Sequence, residues 1–171
     1  MDTWDAIRSR RNVREYEDRA IPDDDLDRIL EAGRRAPSAS NRQKWHFVVV
    51  TDTAQLDELK TVWPGARHIP GSAATIALIL TEPEEPRYRV LDQYDLGQAT
   101  AQMLLAAVEL GIGSGHSAVG DQDAARRILG FPEGYYCAYM IGLGYPADRP
   151  LRPIENPERR PFDDVVHRGT W

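Results

Sequence analysis

Three arginines, Arg10, Arg11 and Arg14, fall within Ser9-Arg10-Arg11-Asn12-Val13-Arg14-Glu15-Tyr16 of a chain whose formal net charge is −6. Arginine suits phosphate. Its planar fork donates two parallel hydrogen bonds, and it stays charged in any protein setting. The stretch lies between a short amphipathic segment and a proline-started helix, so its residues belong to a loop or strand edge and can converge on one anion. A solvated basic turn is the other reading of the stretch taken alone.

Three further groups of residues can do chemistry. Ala36-Pro37-Ser38-Ala39-Ser40-Asn41-Arg42-Gln43 is a small polar loop that runs into an apolar strand at Trp45. Small side chains let backbone groups approach a planar ligand, and the Asn41 amide can both donate and accept. His116-Ser117-Ala118-Val119 follows the turn Gly111-Ile112-Gly113-Ser114-Gly115. That turn lacks the G-x-G-x-x-G spacing and follows a helix, not a strand, so it is not a dinucleotide-binding loop. Arg159 and Arg160, beside Glu158, add two cations near the C-terminus. His46, His68, His116 and His167 are scattered, no grouping has metal-ligand spacing, and no Ser/His/Asp set points to acyl transfer. No residue is singled out as catalytic.

Taken in order, these stretches resemble the FMN-dependent nitroreductase family. The family pattern is an early R-R-S-x-R-x-F/Y, then P-S-x-x-N-x-Q-P-W-x-F, then a late arginine. Here the three read Arg10-Arg11-Asn12-Val13-Arg14-Glu15-Tyr16, then Pro37-Ser38-Ala39-Ser40-Asn41-Arg42-Gln43-Lys44-Trp45-His46-Phe47, then Arg159-Arg160. Asn12 stands where the family has serine, and Lys44 where it has proline. The resemblance spans nearly the whole chain.

The resemblance implies an FMN-dependent oxidoreductase in which NADH or NADPH donates electrons and an electron-poor small molecule, such as a nitroaromatic or a quinone, accepts them by ping-pong hydride transfer. A specialised relative (a substrate dehydrogenase, a dehalogenase or a flavin-modifying enzyme) and a non-catalytic flavin-binding module are the alternatives. Arg10, Arg11, Asn12 and Arg14 are expected at the FMN phosphate and ribityl chain. Arg14 is expected at the flavin N1–C2 edge, where reduced flavin gathers negative charge and a cation raises the reduction potential. Pro37, Ser38, Ala39 and Asn41 are expected to reach the flavin from one subunit, and Asn41 to meet its pyrimidine end. His116, Ser117, Ala118 and Val119 are expected to cover one flavin face and give backbone N–H groups to N5 and O4. His116 reads as a pocket-lining residue more than a proton donor. Arg159 and Arg160 are expected to complete the phosphate site. Trp63 and Tyr94 are weaker candidates for stacking on substrate.

The elements that must position these residues follow from periodicity. Trp4 and Ile7 give a short first helix one apolar face. Pro22 opens a second helix whose first turn holds Asp23, Asp24 and Asp25, where carboxylates complement the helix dipole and need no metal. A continuous strand covered on both faces is expected at Trp45–Thr51, and further apolar strands at Ala73–Thr81 and Tyr136–Leu143. A third helix is expected over Gln55–Val62, the longest over about Asp92–Leu110, and a short one from Asp121 to about Leu129. Glu82-Pro83-Glu84-Glu85-Pro86-Arg87 reads as a flexible surface connection. The long helix is alanine-rich and serves as a core spine or a dimer contact. The expected fold is α+β, a three-layer α-β-α arrangement with a central mixed sheet flanked by helices. It forms a single domain over 1–171, with residues 146–171 as an extended C-terminal arm exchanged between the subunits of a homodimer.

Composition sets the outer bounds. With 171 residues, 42% apolar and 28% charged, the chain can bury one core. The acidic balance argues against nucleic acid and anionic membrane as partners. One cysteine, Cys137, cannot form an internal disulfide, and an acidic N-terminus is no signal peptide; both favour a reduced, cytoplasmic setting.

Overall fold

Ala74-Thr75-Ile76-Ala77-Leu78-Ile79-Leu80 is apolar on both sides of an extended chain, and it forms the centre of the only sheet. The computed structural model describes residues 1–171. Four strands, β1 (Trp45–Val50), β2 (Ala74–Thr81), β3 (Gly113–Ala118) and β4 (Tyr135–Gly144), lie in the order β1-β2-β4-β3. Ala74, Ile76, Leu78 and Leu80 face α2 (Asp23–Arg34) and α4 (Pro86–Glu109), where Leu26, Ile29, Leu96, Ala99 and Met103 fill the space. Ala77 and Ile79 face α3 (Thr53–Leu59) and α5 (Gln122–Leu129) through Leu56, Leu59, Ala124 and Ala125. Three layers result, as expected, and α1 (Thr3–Ser9) packs on α4. Cys137 is buried in the α3/α5 layer, and burial pushes its thiol up to about 12.

The helix ends follow local chemistry. Asp2, Asp52 and Asp121 cap α1, α3 and α5, each carboxylate accepting from a backbone N–H three residues on. Gly130 ends α5 at φ 73°, a left-handed conformation that glycine adopts without strain. Glycine also sets the distance between α2 and α4. A Cβ built on Gly33 would lie 2.7 Å from Met103 Cγ.

Several expectations are corrected. All strand pairings are antiparallel, and the mixed character is confined to one parallel bridge between Asn12 and Ser114. β1 is an edge strand with His46 and Val49 exposed, so it is not covered on both faces within one chain. The third helix runs Thr53–Leu59 and tightens to a 3-10 turn over Lys60–Val62. The long helix begins at Pro86, so the polar connection is only its approach. Proline is tolerated at a helix start, and the first turn is held by ion pairs of Arg87 with Glu85 and Arg89 with Glu82, which carry no apolar period to read. Residues 113–118, expected as a turn and loop, form β3.

The arm after Pro146 is irregular, with bends and one 3-10 turn at Phe162–Asp164. It returns along α1, where Ile154 N donates to Arg8 O at 3.0 Å and the Arg11 guanidinium donates to Arg152 O at 2.8 Å. Beyond that its apolar residues are bare: Phe162, Val165 and Val166 are exposed, and Trp171 is 99% exposed. No helix is long and apolar enough to cross a membrane.

Candidate functional site

The arginine stretch is a strap along the free edge of β3. Val13 N donates to Ser114 O at 2.8 Å, Glu17 N to Tyr145 O at 2.8 Å, and Ala147 N to Glu15 O at 3.0 Å. Its seat is made of glycine. Gly113 pairs with Gly144 and Gly115 with Gly142, so four glycines form two cross-strand pairs on one face of β3 and β4. Val13 and Tyr16 occupy the cleared patch. A Cβ on Gly113 would lie 2.6 Å from Val13 Cγ2, one on Gly144 2.7 Å from Tyr16 Cδ1, and one on Gly115 would run into the Val13 carbonyl. The Tyr16 hydroxyl donates to Val13 O at 2.8 Å and lies 3.1 Å from Gly142 O. Burial raises the Tyr16 pKa far above the phenol range, against a smaller opposing effect of Arg14, so the hydroxyl keeps its proton.

This anchoring presents Arg10, Arg11 and Arg14 at one edge of the sheet. None of the three has a carboxylate partner, although Arg8 pairs with Asp5. Arg10 and His116 line a cleft of about 410 Å³ with Ile7, Gly97, Thr100 and Leu104. His116 also lines an adjoining cleft of about 180 Å³ with Leu78, Leu96 and Tyr139, and the two share Gly97 and Thr100. A Cβ on Gly97 would meet nothing within 4 Å, so this part of α4 is open above its backbone. Three buried polar atoms here lack a protein partner: Ser9 Oγ, Arg11 Nε and Ser114 Oγ. A cation without a carboxylate partner beside apolar cleft walls fits a ligand with an anionic end and an apolar body.

The electrostatics point the same way. His116 is held below the usual histidine range by burial first, then by Arg10, Arg14 and His68. His68, whose Nε2 lies 3.2 Å from Gly115 O, is lowered by burial and then by Arg14, with backbone contacts opposing. Both imidazoles are neutral at pH 7. The unfolded chain takes up these protons near the ordinary value of about 6.5, while the folded chain resists until lower pH. Stability from this source is therefore full above that value and is lost as pH falls below it. Ligand-free protein should melt at lower temperature at pH 5.5 than at pH 7.5, and His68→Gln with His116→Gln should flatten that dependence. An unchanged slope in the double variant would refute this role.

The other expected site residues lie elsewhere in the chain. Pro37, Ser38, Ala39 and Asn41 precede or form a 3-10 turn at Ala39–Asn41. Ala39 lines a separate cleft of about 490 Å³ with Arg42, Lys44, Glu82, Tyr88 and Asp92, which shares no residue with the His116 clefts. Ser117 and Ala118 belong to β3 with His116, and Val119 follows it. Arg159 and Arg160 are exposed and donate to Glu158 O and Asp164 O within their own arm; one chain does not bring them to the strap. Trp63 packs over Gly65 and Gly120, and neither His116 cleft is lined by it or by Tyr94.

A sequence profile described as the nitroreductase family matches residues 7–64 and 61–145, well over half of the chain. The chain belongs to the nitroreductase family. An Archaeoglobus fulgidus protein with the provisional name NADH dehydrogenase/NAD(P)H nitroreductase is 36% identical over 171 residues, covering 96% of each chain. A Methanothermobacter thermautotrophicus protein with the same provisional name is 33% identical, covering 100% of this chain and 88% of its own. An FMN-dependent nitroreductase from Clostridium difficile R20291 superposes with a TM-score of 0.85 at 23% identity, over 97% of this chain and 98% of its own, a likeness of fold. Read as a nitroreductase, the chain carries its strap motif on the glycine seat and its polar-loop motif on the far turns of α4. Sequence reasoning missed the seat and Gly97. A signal for the seat was present: Gly113/Gly115 and Gly142/Gly144 each recur with period two, which on a strand clears one face.

Proposed function

We propose that this nitroreductase-family chain is an NAD(P)H-dependent oxidoreductase that holds FMN, with the phosphate at Arg10 and Arg11, Asn12 beside them, and the ring over the clefts along His116 and Gly97. The observation that carries the reading is Arg10, without a carboxylate partner, lining a cleft beside His116 at the end of a strap that also bears Arg11 and Arg14, in a chain of net charge −6. The names of the relatives and the fold neighbour, with their NAD(P)H and FMN, support it.

The working unit is a homodimer. Within one chain the strap and the polar loop stand apart, and a second copy supplies what each lacks. Val90 and Tyr94, 73% and 68% exposed, with Gly97 and Ala101, form a bare small-and-apolar stripe along α4, continued by Trp4 and Ile7. The exposed residues of the C-terminal arm, and with them Arg159 and Arg160, reach the partner's strap. Exposed apolar area of this kind on a helix and an arm is what a stable dimer covers.

When bound, FMN would supply the hydride chemistry between NAD(P)H and an electron-poor acceptor such as a nitroaromatic or quinone. The chain's own residues bind, orient and polarise. Arg10 and Arg11 anchor the phosphate, and Arg14 places a fixed cation beside the ring. Ser117 and Ala118 continue β3 past His116 and Val119 follows it, and on this reading the backbone N–H groups of this segment that face away from β4 are the donors offered to the ring. Neutral His116 adds polar surface without a competing positive charge.

Purified protein should be a yellow dimer that releases FMN, not FAD, on denaturation, and it should oxidise NADH or NADPH in the presence of a nitroaromatic or quinone. Colourless protein that FMN does not reconstitute would sink the reading. Bound FMN without turnover would favour a non-catalytic flavin module.

A further inference from the structure

We propose that Asp95 and Asp92 of α4 are positioning residues that lock Ser38–Gln43 in the shape in which this loop meets the flavin; this rests on the reading that the loop contacts FMN. Both carboxylates are almost fully buried, at 3% exposure for Asp92 and 5% for Asp95. They sit three apart, so they share one face of the helix. Asp95 Oδ2 accepts the Ala39 N–H at 2.9 Å. Asp92 Oδ1 accepts from the Arg42 guanidinium at 2.7 Å, and that guanidinium also lies over the Tyr88 ring at 4.7 Å. The two contacts bracket Ser40 and Asn41.

What they bracket is strained. Ser40, Asn41 and Gln43 have φ of 52°, 55° and 48°, and they are the only non-glycine residues in the chain with positive φ. Such conformations persist only where surrounding contacts over-determine them. A buried charge is seldom the most stabilising choice for its position, because desolvation opposes the pairing. Two of them aimed at one strained loop mark a geometric task.

The loop's remaining bonds show what the task is. Gln43 N donates to Ser38 Oγ at 3.0 Å and closes the loop. The Gln43 side-chain amide donates to Asn41 O at 3.2 Å and to Asn41 Oδ1 at 2.9 Å. Both oxygens of Asn41 are thereby engaged by Gln43, and its amide NH₂ is the polar group left free. The locked loop therefore presents a donor, which matches the carbonyl and nitrogen acceptors of a flavin pyrimidine edge.

The test compares Asp95→Ala with Asp95→Asn, which keeps a carbonyl acceptor for Ala39 N–H. Amide exchange over residues 38–43 is read by mass spectrometry in the purified dimer, together with FMN affinity and the visible circular dichroism of bound FMN. In Asp95→Ala, exchange over 38–43 should quicken about tenfold and FMN affinity should fall about tenfold, the size of one lost hydrogen bond to a charged group. The flavin dichroism should change as well, and Asp95→Asn should restore most of each. Unchanged exchange in Asp95→Ala overturns the clasp, whether or not wild type holds FMN. A loosened loop with wild-type affinity and dichroism overturns its role toward the flavin. Wild-type protein that takes up no FMN instead overturns the functional reading, and exchange still decides the clasp. Should Asp95→Ala fail to fold, Ser38→Ala removes the acceptor for Gln43 N from a half-buried position and is judged by the same measurements.

Discussion

Gly115→Ala should release the arginine strap and cost this protein both stability and FMN. The added Cβ would enter the Val13 carbonyl oxygen and come within 2.9 Å of the Tyr16 hydroxyl and 3.0 Å of His68 Cδ2. The first obstacle is backbone, so relief requires the strap to move as a unit. Overpacking of a filled site costs about 1–3 kcal/mol. Displacing Tyr16 adds the loss of its bonds to Val13 O and Gly142 O. Because Val13 and Tyr16 seat the strap that bears Arg11 and Arg14, FMN affinity should fall by more than tenfold, about 1.4 kcal/mol or more. Gly71→Ala is the control: a Cβ there meets nothing within 4 Å, and the residue lies outside the arginine strap and its seat. It should stay within about 0.5 kcal/mol of wild type. Thermal melting and an FMN titration check both variants. Gly115→Ala with wild-type melting and affinity would show that the strap does not depend on the glycine patch.

Arg14→Ala and Arg10→Ala should fail in different ways. Arg14 is exposed and has no acidic partner, although Glu15 and Glu17 are neighbours in sequence. Its field reaches His116, His68 and Tyr16. A cation there interacts more strongly with anionic reduced FMN than with neutral oxidised FMN. Removing it should lower the two-electron potential, by about 30 mV if the two affinities differ by tenfold through Arg14, and should slow hydride uptake from NAD(P)H. Arg10 lines the cleft beside His116, and on the proposed reading it meets a phosphate whose charge is the same in both states. Arg10→Ala should weaken FMN binding by about 1.5–3 kcal/mol, as for a charged hydrogen bond, and leave the potential of FMN that stays bound nearly unchanged. Titration of FMN-saturated protein against a reference dye separates the two. Equal potentials in wild type and Arg14→Ala would make Arg14 one more anchor.

The sequence alone determined the local pieces of this protein. Aspartates at helix starts, the proline at the entry of α2 and the apolar runs at Trp45, Ala74 and Tyr136 act over a few residues, so they are readable without a fold. The strap and polar-loop motifs lie within the stretch that matches the family, and they are legible because residue type and spacing are properties of the chain itself. Tertiary structure decided the rest. Gly113–Ala118 has too little apolar content to read as a strand; it becomes one because β4 and the strap pair with its two edges. Its glycines gain meaning only when Gly142 and Gly144, distant in sequence, come to lie opposite them. Asp92 and Asp95 looked like ordinary polar turns of a helix until folding buried them against Ala39 and Arg42. The separation of strap, polar loop and Arg159–Arg160 was equally invisible in the sequence. Spacing along a chain says which residues belong to one motif, whereas distances between motifs are set by how sheet and helices pack.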